Sequence, residues 1–333
     1  MKRWIFWLGI IISAVFLYVA IKGLDLNTLW ISIKTIDLFW LLPGILLYFI
    51  GVLLRSLRWS VLLKGKLALK ALQLFPSICI GYLGNNIFPA RAGELIRAYH
   101  LREKFAIPFA TSLASIIVER IFDGLVMIIF ILLGLPGFQS QLHNQSLNGL
   151  IQWILIAGSI LFLVAFLAVL ISALFPKKAK QVFDFVFLKI LPVKTHEKYH
   201  ALLNRFFEGL EVLKSPLQLL SVFAISLAVW LLETGLYWSV LQAFHLSVPF
   251  NQLLLLNGAL NILSTIPSAP GYIGVFDAPG IRLLNAMNVA SESAAAYILI
   301  LHAALWLPIT VAGLFFFIRE GLHWSQIKSQ NTK

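Results

Sequence analysis

Apolar runs of 17 or more residues recur along the whole 333-residue chain, and they constrain its fold more than any other feature. A helix rises about 1.5 Å per residue, so about 20 apolar residues cross the roughly 30 Å hydrocarbon core of a bilayer. Lipid offers no partner for backbone N–H and C=O groups, and a spanning segment must satisfy them internally. The expected fold class is all-α: a polytopic membrane helix bundle, one integral membrane domain over residues 1–333. Composition agrees. Only 12% of residues are charged and 60% are hydrophobic, against roughly 25% charged in soluble domains, which excludes a water-soluble globular protein.

The formal net charge of +12 would suit a nucleic-acid binder if the basic residues formed one patch. They cluster instead in a few segments between apolar runs, the pattern that orients a membrane protein, and no nucleic-acid partner is expected. The lone cysteine, Cys79, excludes an intrachain disulfide and a multi-cysteine metal site. At the start, Met1-Lys2-Arg3 precedes apolar residues 4–21. That run is longer than the roughly 7–15 residues of a signal-peptide core, and bulky Tyr18 spoils a small-x-small cleavage site. The start reads as an uncleaved anchor with a cytoplasmic N-terminus.

About six stretches are long enough to cross: 4–21, 38–54, 108–133, 151–174, 217–243 and 293–318. Two more are interrupted. Residues 72–104 break at Gly84-Asn85-Asn86-Ile87-Phe88-Pro89, and residues 252–287 break at Ser264-Thr265-Ile266-Pro267-Ser268-Ala269-Pro270-Gly271. Proline and glycine at that density end helices. Segment 55–70 holds five Lys and Arg residues, 91–104 holds four and 176–214 holds eight, whereas 134–150 and 244–251 hold none. If residues 72–90 crossed fully, two basic segments would face opposite sides. A re-entrant hairpin keeps both in the cytoplasm, and the same count makes 252–287 a second re-entrant hairpin entering from the other side, with both termini cytoplasmic. Irregular backbone at membrane depth requires burial in protein or a wet cavity, so a cavity between the breaks is expected. The breaks share a P-x-x-x-G pattern, Pro89 to Gly93 and Pro267 to Gly271, and paired breaks in the two halves of a transporter point to its binding site.

Segment 176–214 reads as a cytoplasmic amphipathic stretch. Leu202, Leu203, Phe206, Phe207, Leu210 and Leu213 recur at helical spacing, and Lys177, Lys178 and Lys180 suit an anionic leaflet.

Arg91, Gly93, Glu94 and Arg97 form the candidate head-group site. N–H groups at a helix start beside a guanidinium suit an anion, and Arg pairs with phosphate in bidentate geometry. The alternative is that Arg91 pairs with Glu94 while Arg97 and Arg102 reach to the interface. Glu119, Arg120 and Asp123 fall mid-span, where an ionised residue costs about 2.5–3.5 kcal/mol. They must face the cavity, either to meet a cationic group or to tie the span to the hairpin through ion pairs. Glu233 and Asp277 are candidates by depth, with Arg282 a candidate partner for Asp277. His302 reads as an interhelical hydrogen bonder. Pro89, Pro267, Pro270, Gly271 and Gly274 are the hairpin breaks. Trp4, Trp7, Trp40, Trp59, Trp153 and Trp324 read as interfacial anchors. There is no Walker loop, dinucleotide-binding glycine motif, H-E-x-x-H or G-x-S-x-G, so no cofactor, no metal and no catalytic residue is expected.

Three ordered motifs carry a family resemblance: Asn85-Asn86-Ile87-Phe88-Pro89-Ala90-Arg91-Ala92-Gly93-Glu94-Leu95-Ile96-Arg97-Ala98-Tyr99, Val118-Glu119-Arg120-Ile121-Phe122-Asp123, and Pro270-Gly271-Tyr272-Ile273-Gly274-Val275-Phe276-Asp277. The chain resembles, over nearly its whole length, the lysylphosphatidylglycerol synthase transmembrane-region family, flippase-like proteins related to the membrane half of the bacterial multiple peptide resistance factor. By resemblance the P-A-R-x-G-E motif falls on Pro89, Ala90, Arg91, Gly93 and Glu94. The E-R-x-x-D motif falls on Glu119, Arg120 and Asp123, and the P-G-x-x-G-V motif on Pro270, Gly271, Gly274 and Val275. Asp277 stands where members often have Glu, and Tyr272 where they often have a second glycine. Full-length lysyltransferases add a soluble aminoacyltransferase domain, which a chain stopping at Lys333 is expected to lack.

The resemblance implies a multi-pass protein of the bacterial inner (cytoplasmic) membrane. The expected function is a lipid translocase or lipid-binding transporter for an anionic or aminoacylated phospholipid or a polyprenyl-linked lipid. Its expected partners are membrane lipids with anionic phospholipid head groups, with a separate lipid-modifying enzyme as a further candidate. The sequence carries no signal of oligomeric state. One alternative is an intramembrane lipid-modifying transferase with Glu119 or Asp123 as general base. Another is the non-catalytic membrane subunit of such an enzyme, presenting segment 176–214.

Overall fold

A computed structural model of the protein describes residues 22–63, 69–88, 91–139, 174–188, 195–210, 215–266 and 268–321, with parts of 10–20 and 160–172. Pro89, Pro267, Trp4, Trp7, Trp153, Trp324 and much of the expected spans 4–21 and 151–174 lie outside the described residues. All regular structure among the described residues is helical.

The helices are α1 (Leu26–Lys34), α2 (Leu41–Leu63), α3 (Ala71–Ile87), α4 (Ala92–Phe105), α5 (Phe109–Gln139), α6 (Pro176–Phe187), α7 (His196–Gly209), α8 (Pro216–Ala243), α9 (Phe250–Leu263), α10 (Asp277–Ala286) and α11 (Ser291–Arg319). Local chemistry sets several starts. Asp25 caps α1 by accepting from the Asn27 N–H at 2.9 Å. Proline opens both α6 and α8 at a position whose N–H has no helical partner. Leu38–Leu63, Pro216–Ala243 and Ser291–Arg319 are long and apolar enough to cross a bilayer. Helix α5 has 31 residues, about 46 Å of helix.

The bundle is apolar outside, and its largely apolar core also encloses charged and polar side chains. On α2, Leu42, Leu46, Leu53 and Leu57 are exposed while Arg55, Ser56 and Arg58 are buried. On α11, Leu307, Val311, Leu314, Phe315 and Ile318 are exposed. Lipid rewards that arrangement and water does not, and the protein is an all-α polytopic membrane protein. Close helix approach depends on glycine. A Cβ at Gly44 would lie 2.7 Å from Leu236 of α8, and one at Gly235 would lie 2.9 Å from Leu47 of α2. Small residues allow such approach where no hydrophobic force separates lipid from protein.

Helix α2 corrects the sequence reading. The expected span 38–54 continues to Leu63, so Arg55 and Arg58 belong to the helix rather than to a loop. The reason lies in the helical period. Gly44, Tyr48, Gly51, Val52, Arg55, Ser56, Trp59, Leu62 and Leu63 form one buried stripe, and the arginines ride on it.

Contacts sort the helix ends into two groups. Lys104, at the end of α4, meets Glu320, just past α11, at 2.5 Å, and the Thr111 hydroxyl donates to the Arg205 carbonyl of α7 at 3.4 Å. At the opposite end the Asp37 N–H donates to the Ala243 carbonyl at 3.0 Å, and the Ser239 hydroxyl donates to the Trp40 carbonyl.

Candidate functional site

The two interrupted segments each fold as helix, break and helix. In the first, α3 and α4 cross where Gly81 and Gly84 face Gly93. A Cβ on Gly93 would overlap the Gly81 carbonyl and lie 2.6 Å from the Asn85 nitrogen. The Gly93 N–H donates to the Asn85 side-chain oxygen at 2.9 Å. This corrects the expectation of a free helix start: Gly93 lets two helices touch, and its N–H already has a partner.

The break delivers Arg91. This residue is the N-cap of α4 and sits in the left-handed region at φ 53°, ψ 36°. Such a conformation costs a non-glycine residue about 1–3 kcal/mol and persists where surrounding structure enforces it. The guanidinium donates to the Ser264 carbonyl at 3.3 Å and lies 5.8 Å from the centre of the Tyr272 ring. Both contacts are to the second hairpin. Tyr272 is also left-handed, at φ 62°, between Gly271 at 72° and the turn containing Gly274 at 82°.

Asp277 opens α10 and closes this second break, accepting from the Gly274 N–H at 2.7 Å. Its other oxygen meets His302 Nδ1 at 2.7 Å, while Nε2 of the same ring lies 2.8 Å from the Gly271 carbonyl. His302 is therefore the partner of Asp277. Arg282, the partner anticipated from the sequence, is exposed, whereas Asp277 is buried.

Between the breaks lies a cavity of about 120 Å³, lined by residues from both hairpins and from α2, α5, α8 and α11. At about 30 Å³ per water it would hold about four waters, or one small polar group. Its charged lining is Arg55, Arg91, Glu94, Arg120, Glu233 and His302, set among Tyr48, Tyr82, Trp230, Tyr237 and Trp306 and the amides of Asn85, Asn86 and Asn261.

The remaining charges form a buried network. Arg55 pairs with Glu233 at 2.8 Å and stacks 4.3 Å from the Trp230 ring centre. Arg58 pairs with Asp123 at 2.5 Å and donates to Ser226 at 2.8 Å, and Asp123 also accepts from the Trp230 indole at 2.7 Å. Arg97 pairs with Glu119 at 2.6 Å and lies 4.4 Å from the centre of the Trp59 ring. Arg120 meets Glu94 at 3.0 Å and Asp123 at 3.5 Å. Ionised groups are tolerated at this depth because each meets an opposite charge.

Several expectations change as a result. Arg97 neither lines the main cavity nor reaches the interface; it is buried because Glu119 and Trp59 hold it. Glu119 and Asp123 are likewise turned into the network and away from the cavity. Glu94 pairs with Arg120, not with Arg91. Trp59, expected at an interface, is fully buried and donates to Ser115 at 2.9 Å. Among the described residues Arg91 is the one arginine of these five with no carboxylate at ion-pair distance. Among the described residues no group of three His, Cys, Asp or Glu side chains gathers as a metal site.

Sequence reasoning missed Arg55 and Arg58, counting them as orientation signals, and missed the amide and aromatic lining. The helical stripe through α2 was the available signal for the arginines. Nothing in one dimension distinguishes Asn261 or Tyr237 from other polar groups in a span.

The sequence matches the family described as the lysylphosphatidylglycerol synthase TM region over residues 6–313. It is 23% identical over 297 residues to a UPF0104 membrane protein of Pyrococcus horikoshii, covering 84% of this chain and 86% of that one. A UPF0104 membrane protein of Methanothermobacter thermautotrophicus is 26% identical over 294 residues, covering 83% and 84% respectively. Glycosyltransferase AglD of Haloferax volcanii is 24% identical over 291 residues, which are 80% of this chain but only 46% of that protein. No solved structure matches. These relatives are archaeal, so a bacterial inner membrane does not follow from them; a membrane location does. With a match that runs through both hairpins and the charged span between them, the chain belongs to the lysylphosphatidylglycerol synthase transmembrane-region family.

Proposed function

We propose that this protein holds the phosphate of a membrane-lipid head group between its two hairpins and passes it from one leaflet to the other. Arg91 carries the reading. It lines the cavity, joins the two breaks, is held in a strained backbone conformation and lacks a carboxylate partner among the described residues. A partly buried guanidinium that lines a cavity and lacks a carboxylate partner suits an anion, and a phosphodiester fits its planar fork. Transport follows from rocking one hairpin-containing half against the other, as in transporters built on paired broken helices.

Fluorescent phospholipid exchange in proteoliposomes tests this. Arg91→Ala is expected to slow exchange about tenfold or more, the scale of losing one charge-assisted bidentate contact, and Arg91→Lys to fall between it and the native protein. Exchange by Arg91→Ala at the native rate would remove the basis of the proposal.

The reading places both hairpins as re-entrant, from opposite sides, with both termini cytoplasmic. Removing buried Arg55, Arg58 and Arg97, and cavity-lining Arg91, from the basic census leaves Lys64, Lys66, Lys70, Arg102, Lys104 and the lysines of 176–214, all in segments that this reading assigns to the cytoplasm. The contacts Lys104–Glu320 and Thr111–Arg205 support that grouping. Native Cys79 is fully buried and gives little background labelling. A cysteine at Arg102 is therefore expected to react from the cytoplasmic face and one at Ala290 from the opposite face. Labelling of both from one face would overturn the topology.

A transferase using Glu119 or Asp123 as general base has less support, because each carboxylate is held by an arginine and neither lines the cavity.

A further inference from the structure

Every carboxylate that the cavity presents is already committed. Glu233 is held by Arg55 at 2.8 Å and Glu94 by Arg120 at 3.0 Å, while Asp277, behind His302, does not line the cavity. Both ring nitrogens of His302 meet acceptors, so His302 and Asp277 cancel as a closed pair; among the other charged lining groups three arginines face two glutamates, an excess of one positive charge. One singly charged phosphodiester cancels that excess. A head group that also bears an ammonium would bring a second charge with no carboxylate to receive it, and recruiting one would break a buried ion pair.

The rest of the lining points the same way. Tyr237 lines the cavity, and its hydroxyl is buried with no hydrogen-bond partner among the described residues. Arg91 Nε is buried and unpartnered in the same sense. Asn85, whose oxygen accepts from Gly93, keeps its amide nitrogen for a ligand, and Asn86, whose nitrogen donates to Thr310, keeps its oxygen, while Trp306 and Tyr272 add aromatic faces. Amides and phenols exchange hydrogen bonds with hydroxyl groups, and aromatic faces cover the C–H faces of a polyol.

Resting on the head-group reading above, we propose that the cavity selects an uncharged polyhydroxyl head group, a glycerol or a sugar, linked through a single phosphodiester, and discriminates against aminoacylated lipids. Arg91 takes the phosphate. The Tyr237 hydroxyl and the asparagines take the hydroxyl groups, and the closed ion pairs Arg55–Glu233 and Arg120–Glu94 leave no place for an amine.

The test is lipid competition on the full chain in phosphatidylcholine nanodiscs, read by native mass spectrometry. The competitors are phosphatidylglycerol, a polyprenyl phosphohexose, lysylphosphatidylglycerol and phosphatidic acid. Phosphatidylglycerol or the phosphohexose is expected to bind at least about tenfold more tightly than the lysyl lipid, the scale of stranding one buried charge. Tyr237→Phe, which keeps the ring, is expected to weaken the hydroxylated lipid and leave phosphatidic acid unchanged. Equal or tighter binding of the lysyl lipid, with Arg91→Ala still weakening every phosphate lipid, would overturn this selectivity and leave the head-group reading standing. Equal losses for phosphatidic acid in Tyr237→Phe would overturn the polyol assignment. If Arg91→Ala changed no lipid's binding, both would fall.

Discussion

Arg58→Met is expected to destabilise the protein by about 3–5 kcal/mol, the cost of removing one partner from a buried ion pair. Arg58 is 1% exposed, pairs with Asp123 at 2.5 Å, approaches Glu119 at 3.8 Å and donates to Ser226. Its loss leaves Asp123 with the Trp230 indole and a longer contact to Arg120, and takes from Glu119 the second of its two arginines. Thermal unfolding in detergent measures the effect. Methionine keeps most of the packing volume, so the loss reports charge rather than a cavity. Adding Asp123→Asn to Arg58→Met is expected to recover part of the stability, because the stranded charge disappears with it; coupling of this kind is what a double-mutant cycle isolates. A melting temperature for Arg58→Met equal to that of the native protein would show that the network does not hold the bundle.

Gly93→Ala is the second large effect. The added methyl would overlap the Gly81 carbonyl and the Asn85 backbone, and backbone atoms cannot swing aside as a side chain can. Helices α3 and α4 must part, at about 1–3 kcal/mol or more, and the Gly93–Asn85 hydrogen bond weakens with them. Because the same turn delivers Arg91, lipid exchange is expected to fall together with protection of the hairpin from amide hydrogen exchange. Gly51→Ala is the control. Its methyl would meet the Val229 carbonyl at 3.5 Å, an ordinary contact, and alanine in a helix interior gains about 0.5–1 kcal/mol over glycine, so near-neutral or slightly raised stability is expected. Equal behaviour of the two variants would show that the α3–α4 crossing is not as tight as the geometry requires.

The membrane-crossing helices Leu38–Leu63, Pro216–Ala243 and Ser291–Arg319 were legible in the sequence because lipid imposes a one-dimensional rule: length and apolarity decide whether a segment can cross. Both interruptions were legible for a related reason, since proline and glycine act on the backbone locally, and the cavity followed from asking where the unsatisfied backbone could sit. The depth of charge also marked Arg91, Glu94, Glu119, Arg120, Asp123, Glu233 and Asp277 as residues that need partners. What depth does not mark is which partner each finds. Arg55 and Arg58 were counted with the cytoplasmic lysines because they follow an apolar run, although the helical stripe carries them inward.

The sequence by itself thus determined the solvent this protein lives in, its helical class and the places where its helices break, because each depends on neighbours along the chain. Only the tertiary structure decided the pairing: Arg97 with Glu119, Arg58 with Asp123, Arg55 with Glu233, His302 with Asp277, and Arg91 left facing the cavity. Charge balance in a low-dielectric interior is settled between groups far apart in sequence, such as Arg55 and Glu233, and no spacing rule along one helix encodes which of them meet.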